Sequence, residues 1–365
     1  MSARVPFMSL APGPDAAAIQ EAIARVVGRG WFVLGPEVEA FEAEFAAASG
    51  GGHAISVGNG TDALALTLRA MGIGPGDEVI TSPMSAAFSA LAILMAGATP
   101  VFADIDPDRL TLDPAAAAAA VTSRTQAIMP VHLYGQPADM PAIAAVANRH
   151  GLAIVEDACQ AHFATCAGQP VGQFGRAAAF SFYPTKNLGA LGDGGAIVTQ
   201  DAMLAAHLRR LRNGGQGEKY HHVEFGVNSR LDEMQAAVLR ARLPLMPQWT
   251  SRRRALAAAY RQALTGAPVV VPPERDPGHV YHLFPVLTPE RDAFQAHLAD
   301  RGVGTLVHYP FALTDQPALA PYATAACPVA QRVARDVCSL PLHLHLSDVD
   351  LAHVADTVLS FGARV

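Results

Sequence analysis

Short apolar runs alternate with longer stretches of helical spacing through the first two thirds of the chain, the pattern of an α/β layer structure. The apolar spacing predicts helices over residues 62–70, 87–96, 114–121, 140–150, 202–212 and 231–241. Between them it predicts strands over 78–81, 99–103, 127–131, 152–156, 177–182 and 196–199. Pro244 and Pro247 then mark a break, after which the texture changes. A long helix over 251–264, a strand near 281–286, and helices over 291–301 and 349–361 complete the pattern. The expected organisation is a large domain of residues 1–245 and a smaller α+β domain of 246–365. No fixed-period repeat stands out, and the alanine run at 115–120 is simply helix-favouring low complexity.

Composition narrows the class. A hydrophobic fraction of 51% against 16% charged suits a well-buried globular enzyme, although much of that apolar content is alanine. The 26 basic and 32 acidic residues give a net charge of −6, with no basic arm or stripe, which argues against a nucleic-acid partner. An anionic substrate would rely on local arginine, lysine or backbone donors rather than on the global field. The run Met1 to Pro6 lacks the apolar core of a signal peptide. The uncharged stretch 81–103 approaches membrane-span length, but Pro83, Gly97 and Pro100 break it into loop, buried helix and strand. The expected setting is the cytoplasm, without a membrane partner. Four cysteines make no disulfide framework. Cys159, His162 and Cys166 lie close in sequence, but no second ligand cluster accompanies them, so no metal site is expected.

Two runs carry the chemistry. Lys186 sits in Phe180-Ser181-Phe182-Tyr183-Pro184-Thr185-Lys186-Asn187-Leu188-Gly189, between an apolar strand and a glycine-rich turn. Asp157 ends the apolar strand Leu152-Ala153-Ile154-Val155-Glu156, 29 residues earlier. An amine for covalent attachment and a carboxylate to hold a pyridine nitrogen protonated are what a pyridoxal phosphate (PLP) site requires. A strand-end aspartate alone would more ordinarily cap the next helix. Gly58-Asn59-Gly60-Thr61-Asp62-Ala63 opens a helix whose free N–H groups suit a phosphate, although Thr61 or Asp62 could be a plain cap.

Taken together, Pro-Thr-Lys-Asn-Leu-Gly, Val-Glu-Asp-Ala, the Gly58 loop and Gly226-Val227-Asn228-Ser229-Arg230-Leu231-Asp232-Glu233 resemble the DegT/DnrJ/EryC1/StrS sugar aminotransferases, over almost the whole chain. The resemblance implies the PLP-dependent transferase fold type I: a large domain with a mixed, mostly parallel sheet flanked by helices, plus a smaller α+β domain. It implies that Lys186 carries the cofactor, Asp157 meets the pyridine nitrogen and Gln160 approaches the ring hydroxyl, with His162 nearby. Gly60, Thr61 and Ser181 would cup the phosphate, and Asn228 would reach the phosphate of a neighbouring subunit, giving a homodimer with shared active sites.

The implied reaction is transamination of a keto-sugar nucleotide through the pyridoxamine phosphate form, with glutamate as donor. A cyclitol ketone is the alternative substrate. A sugar dehydratase of the same superfamily would carry histidine in place of Lys186, and a regulatory DNA-binding role would need a basic reading helix that the chain lacks. Two segments depart from the family pattern. Ala86 stands where an aromatic usually covers the ring, so Phe88, the nearest aromatic, is expected to take that place. In the small domain Val307-His308-Tyr309-Pro310 matches, but Leu313-Thr314-Asp315 does not. The loop 214–222, with Lys219, Tyr220, His221 and His222, is a candidate contact for an anionic diphosphate.

Overall fold

Apolar runs of four or five residues are too short for stable helices but long enough to cross a sheet, and the computed structural model, which describes residues 4–362, uses them that way. Seven strands lie in the order His53–Val57, Gly195–Thr199, Ala177–Ser181, Ala153–Asp157, Thr125–Met129, Glu78–Thr81 and Thr99–Phe102. Only Gly195–Thr199 runs against the others, so the sheet is mixed and mostly parallel. Successive side chains of Ala177–Ser181 serve opposite faces. Ala177 and Ala179 enter one apolar cluster with Leu64, Leu68 and Ile197, whereas Ala178 and Phe180 enter another with Phe41, Phe45 and Phe182. The alanines are therefore core residues here, letting the helix Gly60–Ala70 lie close against the strands. On the other face Phe45 meets Phe180 and Phe182 edge-on at 5.2 and 5.3 Å. Truncating such a phenylalanine costs ~3–5 kcal/mol.

The predicted strand at 78–81 and the helix at 140–150 appear with those bounds. Three elements before residue 58 were not predicted: helices Ala16–Arg29 and Pro36–Ala48 and strand His53–Val57. The reason is plain for the second helix. Its first turn is capped by Glu233, whose buried carboxylate accepts from Gly35, Glu37 and Val38 N–H at 2.9, 2.9 and 2.8 Å. A cap delivered from almost 200 residues away leaves no local signature. Pro244 and Pro247 mark a helix start rather than a gap: Leu243–Leu245 forms a 3₁₀ turn and Pro247 lies in the first turn of Met246–Ala263, where a missing N–H costs nothing.

Beyond that helix, strands Phe284–Leu287 and Val337–Leu340 pair antiparallel beneath helices Arg291–Asp300 and Asp348–Leu359. Their core gathers Leu256, Tyr260, Phe284, Phe294 and Val354, and takes in Val5 from the other end of the chain. Val5 is held by Gly302 and Gly304 through backbone bonds of 2.9 Å each. Among the described residues no helix is long and apolar enough to cross a membrane, and no cluster of three metal-ligating side chains is found.

Candidate active site

Parallel strands end on one edge of a sheet, and ligands of open α/β folds collect there. Here that edge brings together Gly58–Thr61 after His53–Val57, Ser82–Ser89 after Glu78–Thr81, Asp157 at the end of its strand and Ser181 at the end of its own. Asp157 is 5% exposed. Its Oδ2 accepts a 2.6 Å hydrogen bond from the Ser89 hydroxyl, and its Oδ1 accepts from Cys159 N–H at 3.2 Å. Ser85 lies one turn before Ser89, and the two hydroxyls are 3.0 Å apart. The carboxylate is thus fixed from two sides by donors.

Lys186 belongs to the turn after Ser181, its N–H bonded to the Tyr183 carbonyl at 2.8 Å. Part of its side chain is accessible through a cleft, but protein surrounds the rest. Burial lowers the amine's pKa, while Cys159 and Asp157 pull the other way. The surrounding imidazoles stay neutral. Burial takes His162 down to about 3, His308 to about 4, and His282 well below the ordinary range, with Lys186 adding to each shift. A lysine with a depressed pKa among neutral histidines has the chemistry that a nucleophile or proton carrier would need, unlike a solvated surface charge.

The helix Gly60–Ala70 is capped by Asn59, whose Oδ1 accepts from Asp62 N–H at 2.8 Å. Asp62 is occupied elsewhere: its Oδ2 receives the Ser229 hydroxyl at 2.6 Å, and Ser229 in turn accepts from Gly58 N–H at 2.9 Å. Neither Thr61 nor Asp62 is the cap, so Gly60 and Thr61 keep free N–H groups among the described residues. The backbone there is very close to its neighbours. A Cβ on Gly60 would stand 2.7 Å from Cys159 Sγ and 2.9 Å from Ser181 Cβ. Ser181 and the helix N-terminus therefore face one spot, with free donors and a positive helix end suited to a phosphate.

The profile of the DegT/DnrJ/EryC1/StrS aminotransferase family matches residues 15–359. The chain belongs to that family. It is 50% identical over 370 residues to the dTDP-3-amino-3,4,6-trideoxy-alpha-D-glucose transaminase of Streptomyces venezuelae, covering 99% of this chain and 97% of that one. It is 45% identical over 345 residues to the dTDP-3-amino-3,6-dideoxy-alpha-D-galactopyranose transaminase of Aneurinibacillus thermoaerophilus, covering 94% and 95%. Among solved structures, S. venezuelae DesV, crystallised in complex with a ketimine intermediate, superposes with a TM-score of 0.96 at 50% identity over all of both chains. This aminotransferase accordingly uses PLP, with pyridoxamine phosphate as the amino form of the cofactor.

The residues present fit that cofactor. Lys186 would supply the amine, Asp157 a donor-locked carboxylate, and Gly60, Thr61 and Ser181 a phosphate cup in which position 60 has no room for a Cβ. Gln160 is buried beside them, but both ends of its amide are already engaged. Its Oε1 accepts from Tyr134 N–H at 2.8 Å and its Nε2 donates to Tyr309 OH at 3.1 Å, which ties the Asp157 segment to the small-lobe turn His308-Tyr309. His162 is fully buried against Phe180 and Phe182, and neither ring nitrogen has a partner among the described residues.

Phe88, 61% exposed on the single chain, opens the helix Phe88–Met95, while the next residue, Ser89, turns inward to Asp157. The two departures from the family pattern are neighbours in space: Leu313 N–H donates to the Pro83 carbonyl at 2.7 Å, three residues before Ala86. Asn228 is exposed on the single chain, bridged by its backbone to Asn213. The loop 214–222 forms a small exposed hairpin in which Lys219 Nζ lies 5.2 Å from the Tyr220 ring centre. Ser89 was not anticipated from the sequence. Its only local signal is the serine at i−4, a spacing that places both hydroxyls on one helix face.

Proposed function

We propose that this chain transfers an amino group from glutamate to the C3 ketone of a sugar carried on a nucleoside diphosphate, as a cytoplasmic homodimer with shared active sites. The observation that carries the reading is the pairing of a partly buried Lys186, its pKa lowered by burial, with a donor-locked Asp157, in a chain half identical along its length to a dTDP-sugar transaminase. Both curated relatives bear their amino group in the name at position 3, which supports C3 here.

PLP supplies an electron sink for the carbanion at the donor's Cα. Lys186 would hold it covalently at rest, and its Nζ would then take the proton from that carbon and pass it to the C4′ carbon of the cofactor. Asp157 keeps the pyridine nitrogen charged, and Ser89 with Cys159 N–H keeps Asp157 oriented. Gly60, Thr61 and Ser181 hold the phosphate, Asn228 of one subunit completes the cup of the other, and Gln160 and Phe88 border the ring. The dimer is supported by apolar side chains that a single chain leaves in water: Trp31, Phe32, Tyr183, Leu191 and Phe225, the last 95% exposed.

The test is a panel of keto-sugar nucleotides incubated with glutamate and read by mass spectrometry. A 3-keto sugar nucleotide should gain the mass change of ketone to amine, and glutamate should convert the visible absorption of the protein to that of the pyridoxamine form. A protein that glutamate never bleaches, or that aminates only cyclitol ketones, would refute the reading.

A further inference from the structure

Arg253 is a buried cation with no anion. It lies on the helix Met246–Ala263 and is 6% exposed. Its Nη1 donates to the carbonyls of Tyr281, His282 and Leu342 at 3.1, 3.4 and 3.2 Å, which pins the guanidinium in place. Its Nε is buried and meets no acceptor, and no carboxylate pairs with the residue among the described residues. The other buried arginines differ in having a carboxylate: Arg242 is bound to Asp15 at 2.9 Å, and Arg212, whose Nε is likewise unpartnered, pairs with Glu42. Burial alone lowers Arg253 to about 10, with no compensating charge. An unpaired buried guanidinium is costly, and the usual remedy is an anion in its fork.

The space for one is at hand. Arg253 lines a cleft of about 220 Å³ that also holds Lys186, Asn187, Trp249, His343 and His345. His343 offers a second unpartnered polar atom: its Nδ1 is buried without a partner, while Nε2 faces the Pro6 carbonyl at 3.2 Å. Arg242 and Arg253 set two cations in this cleft beside Lys186, against the single carboxylate of Asp15, which Arg242 already answers. A cleft of this size and sign beside the reactive amine suits a small dicarboxylate.

We propose that Arg253 binds the amino donor, its free guanidinium edge receiving a carboxylate of an α-amino dicarboxylic acid in the cleft beside Lys186. The proposal rests on the aminotransferase reading above and adds the residue that selects the donor. The dTDP-deoxysugars for which the two relatives are named carry no carboxylate, and their diphosphate hangs from C1 rather than from the amino-bearing C3, so Arg253 at the donor's carboxylate would act on the first half-reaction more than on the second.

The test uses the PLP-loaded enzyme and its Arg253→Lys and Arg253→Gln variants. Titration calorimetry with glutarate, an unreactive dicarboxylate, measures the site without turnover, and neutral glutaramide is the control. Wild type should prefer glutarate to glutaramide by ~10–100-fold, and both variants should lose that preference, because lysine cannot present a fork. In single-turnover experiments the ratio of the glutamate to the amino-sugar half-reaction should shift ~10–100-fold against glutamate.

Equal losses in the two half-reactions would mean that Arg253 acts only through the carbonyls it ties together, and would overturn the proposal. So would a wild type that processes the amino sugar but does not distinguish glutarate from glutaramide. Failure of the aminotransferase reading looks different: wild type would then be inert toward the amino sugar itself. Should Arg253→Gln fail to fold, the wild-type ligand preference and Arg253→Lys still decide the matter.

Discussion

Replacing His162 by phenylalanine should make the protein more resistant to mild acid, by an amount that follows from the ring's surroundings. The imidazole is fully buried between Phe180 and Phe182, with ring centres 5.6 and 5.8 Å away, and neither nitrogen has a partner among the described residues. Burial lowers its pKa from 6.5 to about 3, so the folded protein holds it neutral where the unfolded chain would protonate it. Because the unfolded state binds the extra proton between those values, stability falls as pH drops from about 6.5 toward 3. At pH 5 an unfolded histidine gains RT ln(1 + 10^1.5), or about 2 kcal/mol, and at pH 7.5 it gains almost nothing.

His162→Phe removes that loss. At neutral pH the substitution deletes a buried polar ring, a gain of ~1–3 kcal/mol, against a similar cost of fitting a larger one. The neutral-pH change is therefore small, and the difference between the two pH values is the informative quantity. Urea unfolding of cofactor-free wild type and variant at pH 7.5 and 5.0, at one protein concentration, measures it. The variant should lose about 2 kcal/mol less than wild type on acidification. His279 and His308 are also depressed, but they are common to both proteins and cancel. Equal acid sensitivity of the two would show that His162 titrates normally, and the burial argument would be wrong.

Ser89→Ala removes the 2.6 Å bond to Asp157 and should weaken PLP binding by ~10–100-fold, with Ser89→Thr restoring most of it in fluorescence titrations. Gly60→Ala drives a methyl to 2.7 Å from Cys159 Sγ and should cost ~1–3 kcal/mol of PLP affinity. Normal affinity would mean that the helix N-terminus does not hold the phosphate. Lys186→Ala should still bind PLP through the phosphate cup, yet lose the visible absorption of the lysine-bound form and nearly all transamination; a variant that turns over normally refutes its role. Mixing equal amounts of Asn228→Ala and Lys186→Ala chains should restore about a quarter of wild-type activity, since half the dimers then carry one intact site. A mixture as inactive as its parts would place Asn228 in its own subunit's site.

Chemistry that is local in sequence was legible without coordinates. Lys186, Asp157 and the Gly58–Asp62 loop sit at strand-to-helix junctions, where a few residues set both the backbone turn and the donors that point from it. The helix Met140–His150 was equally plain, with Asp139 capping it and Gly151 ending it in the left-handed region. Even the mixed sheet followed from the family that these motifs resemble.

What tertiary structure alone decided are contacts between residues remote along the chain: the hydroxyl of Ser89 on Asp157, Glu233 capping the helix Pro36–Ala48, and Val5 joining the core of the C-terminal half. The unpaired charge of Arg253 belongs here too, because whether a cation has an anion depends on every segment folded around it. Motifs record the groups that a reaction needs, but partners and burial are properties of the packed chain, and a sequence shows only the neighbours that a backbone joins.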